Sequence, residues 1–160
     1  MDNKALGDPG NPGFQVSKYP FFLLNRLVSR YNGVIEPRLR AIGLDIPYWR
    51  VLMVLGEASP RGVRDIADAA VIPLSTMTRI IQRMVAADLV AVSPSPDDAR
   101  VTRVMLTAAG EARLAEARAT TAPVYAMVTR DLDGDAFDRL LATLEQLHDS
   151  LIDESSKDMT

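Results

Sequence analysis

Residues 74–107 constrain this chain more than any other stretch: a helix with a polar face, an abrupt stop, then a β-hairpin closed by a charged loop. The helical part reads Leu74-Ser75-Thr76-Met77-Thr78-Arg79-Ile80-Ile81-Gln82-Arg83-Met84. Met77, Ile80, Ile81 and Met84 recur at spacings of three and four, which predicts one buried stripe. Ser75, Thr76, Thr78, Arg79, Gln82 and Arg83 fall outside it. Their hydroxyl, amide and guanidinium groups are the types that bond to phosphate oxygens and to base edges in the major groove of DNA. Asp88 ends the helix. From Leu89 to Leu106 the alternation of Val104 and Leu106 against Arg103 and Met105 predicts a strand. The loop Ser93-Pro94-Ser95-Pro96-Asp97-Asp98-Ala99-Arg100 is rich in turn formers and directs Asp98 and Arg100 outward. A reading helix with a wing beside it is the expectation.

The preceding residues supply the other half of that device. Asp45 is an N-cap candidate with Pro47 in the first turn of the helix that follows. Tyr48 to Leu55 is strongly apolar, and Gly56 to Gly62 closes it. A short helix from about Val63 to Ala70 buries Val63, Ile66, Ala67 and Ala70, and Val71-Ile72-Pro73 joins it to the reading helix. Two helices joined by a few residues, the second with a polar face, are the helix-turn-helix pattern. The fold class is thus mainly α with a small β-hairpin wing, a winged helix-turn-helix over residues 44–106.

Longer amphipathic segments flank this core. One runs from Tyr19 to a stop at Gly43 through Leu23, Leu27, Tyr31, Val34, Ile35 and Leu39. Pro37 within it is expected to bend it or break its ladder. Thr107 caps a second that passes Leu114, Ala117, Thr121, Val124 and Val128 and bends near Pro123. A third carries Phe137, Leu140, Leu141, Leu144, Leu147 and Leu151, and the acidic run from Asp131 to Asp135 reads as the loop that caps it. About 60 residues of winged core cannot cover all these apolar faces. A second copy can, so residues 18–43 and 107–155 are expected to form the helical dimerisation region of a homodimer, which would present two reading helices to a palindrome. Residues 1–17, with Gly7, Pro9, Gly10, Pro12 and Gly13, are expected to be a flexible arm.

Charge and composition narrow the function. The net charge of −3 is distributed as +2 over residues 1–60, +1 over 61–103 and −6 over 104–160. Acidity is confined to the last third, and the stretch from Leu74 to Arg83 holds two arginines and no acid. Because the field that acts on a ligand is local, this permits DNA binding with marked salt sensitivity. The absence of cysteine removes disulfides and thiol chemistry. No apolar run approaches the roughly 20 residues of a membrane span, and no secretion signal opens the chain, so a cytoplasmic protein is expected. There is no nucleophile–base constellation, no phosphate-binding glycine loop and no metal-ligand cluster, His148 being the sole histidine. A non-enzymatic protein with no cofactor and no metal follows.

The stretches Gly43-Leu44 through Tyr48-Trp49-Arg50-Val51-Leu52, Ser75 to Met84, Asp98-Ala99-Arg100 and Leu106-Thr107-Ala108-Ala109-Gly110 together resemble the MarR family of bacterial transcriptional regulators. The likeness covers roughly residues 18–153. It implies a winged-helix dimer that binds double-stranded DNA at a palindromic operator, usually as a repressor. It also implies release by a small effector, often an aromatic acid or a related thioester, bound between dimerisation helices and reading head. By the family pattern Ser75, Thr76, Thr78, Arg79, Gln82 and Arg83 lie toward the major groove, while Arg100 enters the minor groove with Asp98 orienting it. Arg103 on the wing joins this set. Asp88 stands where the family commonly has glycine, and Ser93 and Ala99 stand where arginine is common, which lowers the expected phosphate affinity.

For an effector the candidate residues are Tyr19, Phe22, Arg26, Tyr48 and Arg50. The arginine fork suits a carboxylate. The aromatics serve equally well as core or dimer interface, and each arginine as a surface group paired with a local acid. The alternative to an effector-responsive regulator is an architectural or constitutive DNA-binding protein without a small-molecule effector.

Overall fold

The computed structural model describes residues 2–157, as seven α-helices and a three-stranded antiparallel sheet. Two compact units divide between Ala122 and Pro123. In the first, α1 (Asn3–Leu6) and a 3-10 turn (Val16–Lys18) precede α2 (Pro20–Ala41), α3 (Ile46–Glu57), β1 (Arg61–Gly62), α4 (Val63–Ala70), α5 (Leu74–Ala86), β2 (Val90–Pro94) and β3 (Thr102–Leu106). The helix α6 (Ala108–Thr129) contains Pro123 at the division, and α7 (Gly134–Lys157) belongs to the second unit.

Local chemistry sets the boundaries. The Asp45 carboxylate accepts the Tyr48 N–H at 2.8 Å, capping α3, and Pro47 sits in its first turn. The Thr107 hydroxyl accepts the Gly110 N–H at 3.0 Å and so caps α6. Three helices end the same way. After α2, α4 and α5 the chain turns through a left-handed residue, and the next N–H reaches back five residues: Leu44 to Leu39, Ile72 to Ala67, Leu89 to Met84. The left-handed residues are Gly43 (φ 73°), Val71 (φ 54°) and Asp88 (φ 57°). Glycine takes that conformation freely, whereas a β-branched valine does not.

The core of the first unit lies where the stripe of α5 meets α3, α4 and the sheet. Met77, Ile80, Ile81 and Met84 are buried with Val51, Leu52 and Leu55 of α3, Ile66, Ala67 and Ala70 of α4, and Val90 and Val104 of the sheet. The hairpin pairs Val90 with Leu106 through Pro94 with Thr102. Arg61 and Gly62 add a short third strand on the far side of β3, opposite Val104 and Arg103.

Two sequence expectations change. The strand β1 was not foreseen, because two residues, one of them glycine, carry no period. The helix α2 runs on past Pro37 to Ala41, with one rung of its ladder missing as expected there. The Arg38 guanidinium donates to the Val34 carbonyl at 2.7 Å beside the missing bond. The segment expected to be an arm contains α1 and the 3-10 turn, joined by the Gln15 N–H on the Leu6 carbonyl at 2.8 Å. Among the described residues no helix is long and apolar enough to cross a membrane.

Candidate nucleic-acid interface

The six polar residues of α5 are all exposed, and the helical period sorts them. At roughly 100° per residue, Ser75, Arg79 and Gln82 stand opposite the buried stripe and form the middle of the outward face. Thr78 lies on the flank toward the wing, Thr76 and Arg83 on the flank toward α3. Two contacts agree with that division. Thr78 and Gln82 line a cleft between α5 and the wing, and the Arg83 guanidinium lies 5.2 Å from the ring centre of Tyr48 on α3. The Thr78 hydroxyl donates to the Leu74 carbonyl at 3.1 Å, which leaves its lone pairs and methyl free. Arg79 has no hydrogen bond or ion pair among the described residues.

The wing tip is a charged clasp. Arg100 donates through Nε and Nη2 to the two oxygens of Asp98, both at 3.1 Å, and its backbone N–H bonds Oδ1 at 3.0 Å. These bonds, the side-chain ones first, hold the Asp98 carboxyl below its ordinary range. The guanidinium stays 91% exposed, so the carboxylate orients it without covering it. The loop beneath is fixed by the Ser95 N–H on the Val101 carbonyl and the Val101 N–H on that of Asp98. Arg103 behaves differently: it is half-buried and gives Nη2 to the Pro60 carbonyl at 3.1 Å. One of its donors ties β3 to the turn before β1.

Between α5, the start of α4 and the wing lies a cleft of about 840 Å³. Its polar lining includes Arg64, Asp65, Thr78, Gln82 and Arg100, and its apolar lining Leu74, Val85, Val92 and Val101. Arg64 was missed in the sequence because α4 reads as a plain supporting helix. Its signal was a second arginine, three residues after Arg61, on the first turn of that helix.

The five effector candidates fall into separate places. Tyr19 meets Phe14, Phe21 and Phe22 at centroid distances of 5.7, 5.4 and 5.8 Å. Phe22 and Arg26 line a groove of about 810 Å³ along α2 with Arg30 and Gly33. Tyr48 supports Arg83, and Arg50 donates to the Ala70 carbonyl at 3.2 Å, at the end of α4. One group was not foreseen: the Trp49 Nε1 is buried with no hydrogen-bond partner among the described residues. Its ring lies 6.4 Å from that of Tyr31, whose phenol is pushed up by burial. Among the described residues no cluster of acids and His148 could hold a metal.

Comparison with known proteins agrees with this fold. A model of the MarR family matches residues 42–101. The HTH-type transcriptional repressor IacR of Pseudomonas putida is 34% identical over 144 residues, which is 90% of this chain and 86% of that protein. A solved MarR family transcriptional regulator from Silicibacter pomeroyi DSS superposes with a TM-score of 0.80 at 26% identity, covering 91% of this chain and 97% of that one. Bordetella bronchiseptica BpsR, whose DNA binding is described as regulated by 6-hydroxynicotinic acid, shares the fold with a TM-score of 0.70 at 24% identity, over 89% of this chain and 99% of its own.

Proposed function

Because this chain belongs to the MarR family of transcriptional regulators, we propose that it is a homodimeric, ligand-responsive repressor of a palindromic operator. The observation that carries the reading is the open face of α5. A stripe of groups able to bond bases, with Arg79 at its centre and unpaired, faces away from the core beside an exposed, pre-oriented Arg100. Each α5 would lie in a major groove and each Arg100 in the neighbouring minor groove, with half-sites about one helical turn apart. The relative IacR is itself described as a repressor.

Dimerisation is supported by apolar faces too large to leave in water. In the first unit α2 exposes Phe21, Phe22, Leu23, Leu27 and Val28. In the second, α7 exposes Leu140, Leu141, Leu144 and Leu147.

For the effector, an aromatic carboxylate or its thioester fits two observations. Trp49 offers a buried donor without an acceptor, beside the ring of Tyr31. The groove on α2 offers Arg26 and Arg30 next to Phe22. An effector that binds the non-operator spacing of the two heads more tightly shifts the population away from DNA.

An Arg79→Ala/Arg83→Ala double variant tests the core of this. It should sediment as a dimer yet fail to retard operator DNA. Retardation at wild-type affinity would overturn the assignment of α5. A thermal-shift screen with aromatic acids and acyl thioesters tests the effector, since only a sensor gains stability from ligand. No shift with any of them would favour a constitutive or architectural regulator.

A further inference from the structure

We infer that the cleft between α5, the first turn of α4 and the wing is the seat of one sugar–phosphate strand of the bound duplex, with Arg64 as a phosphate-binding residue. The inference rests on the DNA-binding reading above and extends it to a residue outside the reading helix and wing. A protein that places one element in a major groove and a second in the adjacent minor groove must straddle the strand that separates them. On this chain the space between those two elements is the cleft of about 840 Å³.

Its lining suits that occupant. Val85, Val92 and Val101 are exposed valines on the cleft wall. They are out of place on a face meant for water, but a deoxyribose edge is itself largely apolar and would cover them. Arg64 and Arg100 approach the same cleft from α4 and from the wing tip. Arg100 is already bound to Asp98, whereas Arg64 is exposed and has no hydrogen bond or ion pair among the described residues. A free guanidinium beside an apolar wall is a phosphate donor in waiting. Asp65 is the one acid on the lining. It opposes an anion, so its charge should weaken the contact that Arg64 makes.

Phosphate contacts act on any sequence, so a fluorescein-labelled 30-base-pair duplex of arbitrary sequence serves as probe, its binding followed by anisotropy from about 20 to 200 mM KCl. Each dimer carries two copies of Arg64, so Arg64→Ala should lower the slope of log K against log salt by about 1.8 and weaken binding about 10- to 60-fold near 100 mM salt. Arg64→Gln, which keeps most of the stem, should do the same, and Arg64→Lys should restore the slope. Asp65→Asn should tighten binding. A merely structural role for Arg64 would move the melting temperature and leave the slope alone. If Arg100→Ala weakens binding while Arg64→Ala and Arg64→Gln keep wild-type slope and affinity, the cleft is not the strand's seat, although the DNA-binding reading survives. If the wild-type dimer fails to bind the duplex even at the lowest salt, both fall together.

Discussion

Single residues at the wing and in the turns carry energies that can be measured one at a time. Asp98 is held ionised by Arg100, so its folded-state pKa is depressed. Whatever stability the clasp adds is present above the ordinary aspartate range near 4 and is lost as pH falls through the lowered value. Operator binding should therefore keep its Arg100 contribution throughout pH 5–8. An NMR titration should find the Asp98 midpoint below that of a free aspartate and returned to the ordinary range by Arg100→Ala. The turn between α4 and α5 is costly in a different way. Val71 holds a left-handed conformation and is 80% exposed. That backbone costs a β-branched residue about 1–2 kcal/mol, part of which glycine gives back as chain entropy. Val71→Gly should stabilise the protein by about 0.5–1 kcal/mol, a rise in Tm of ~2 °C by calorimetry. At this scale the sequence was partly legible. Asp45 and Thr107 announce their caps by residue type, and Asp98 and Arg100 their place by the turn around them. Tyr48 beneath Arg83 and the orphan Trp49 N–H were not legible, since both depend on which helix lies against which.

Elements were easier to read than their joints. The stripe from Met77 to Met84 defines α5 because four apolar side chains share one face, and its outward groups follow by subtraction. The same logic set the ends of α3 and α4. It failed at β1, which is paired only with β3. It also failed to sort the outward face of α5, which has a centre and two flanks with different surroundings. The joint between the hairpin and α6 is the tightest of all. A Cβ on Gly110 would sit 1.9 Å from the Leu89 carbonyl oxygen and 3.2 Å from Leu106. The backbone there cannot yield as a side-chain tip would, so Gly110→Ala should destabilise the protein by about 3 kcal/mol, read from the urea midpoint.

At the scale of the whole molecule the outstanding fact is apolar surface on long helices. Leu140, Leu144 and Leu147 lie on successive turns of α7, all exposed, and a row of leucines at that spacing is a helix-packing seam. In the dimer proposed above, Leu144→Glu should halve the mass found by analytical ultracentrifugation. Because a monomer engages one half-site only, operator affinity should fall by about 100-fold while the melting of the reading head is little changed. The sequence made this legible as a burial problem: more amphipathic helix than one core can absorb. Which surfaces meet, and in what register, it does not encode in any local pattern.

The join of α5 to α6 has a mechanical consequence. The Thr107 hydroxyl donates to the Asp88 carbonyl, the Thr107 N–H to that of Leu89, and Gly110 lies against the same Leu89 oxygen. A few residues farther along, Arg113 donates to the Ile42 carbonyl at the end of α2. The root of α6 is thereby bolted at once to the tail of α5 and to the end of α2. On the DNA-bound arrangement proposed above, such a root would act as an axle, delivering torque to α5 as a change of pitch with no slack loop between to absorb it.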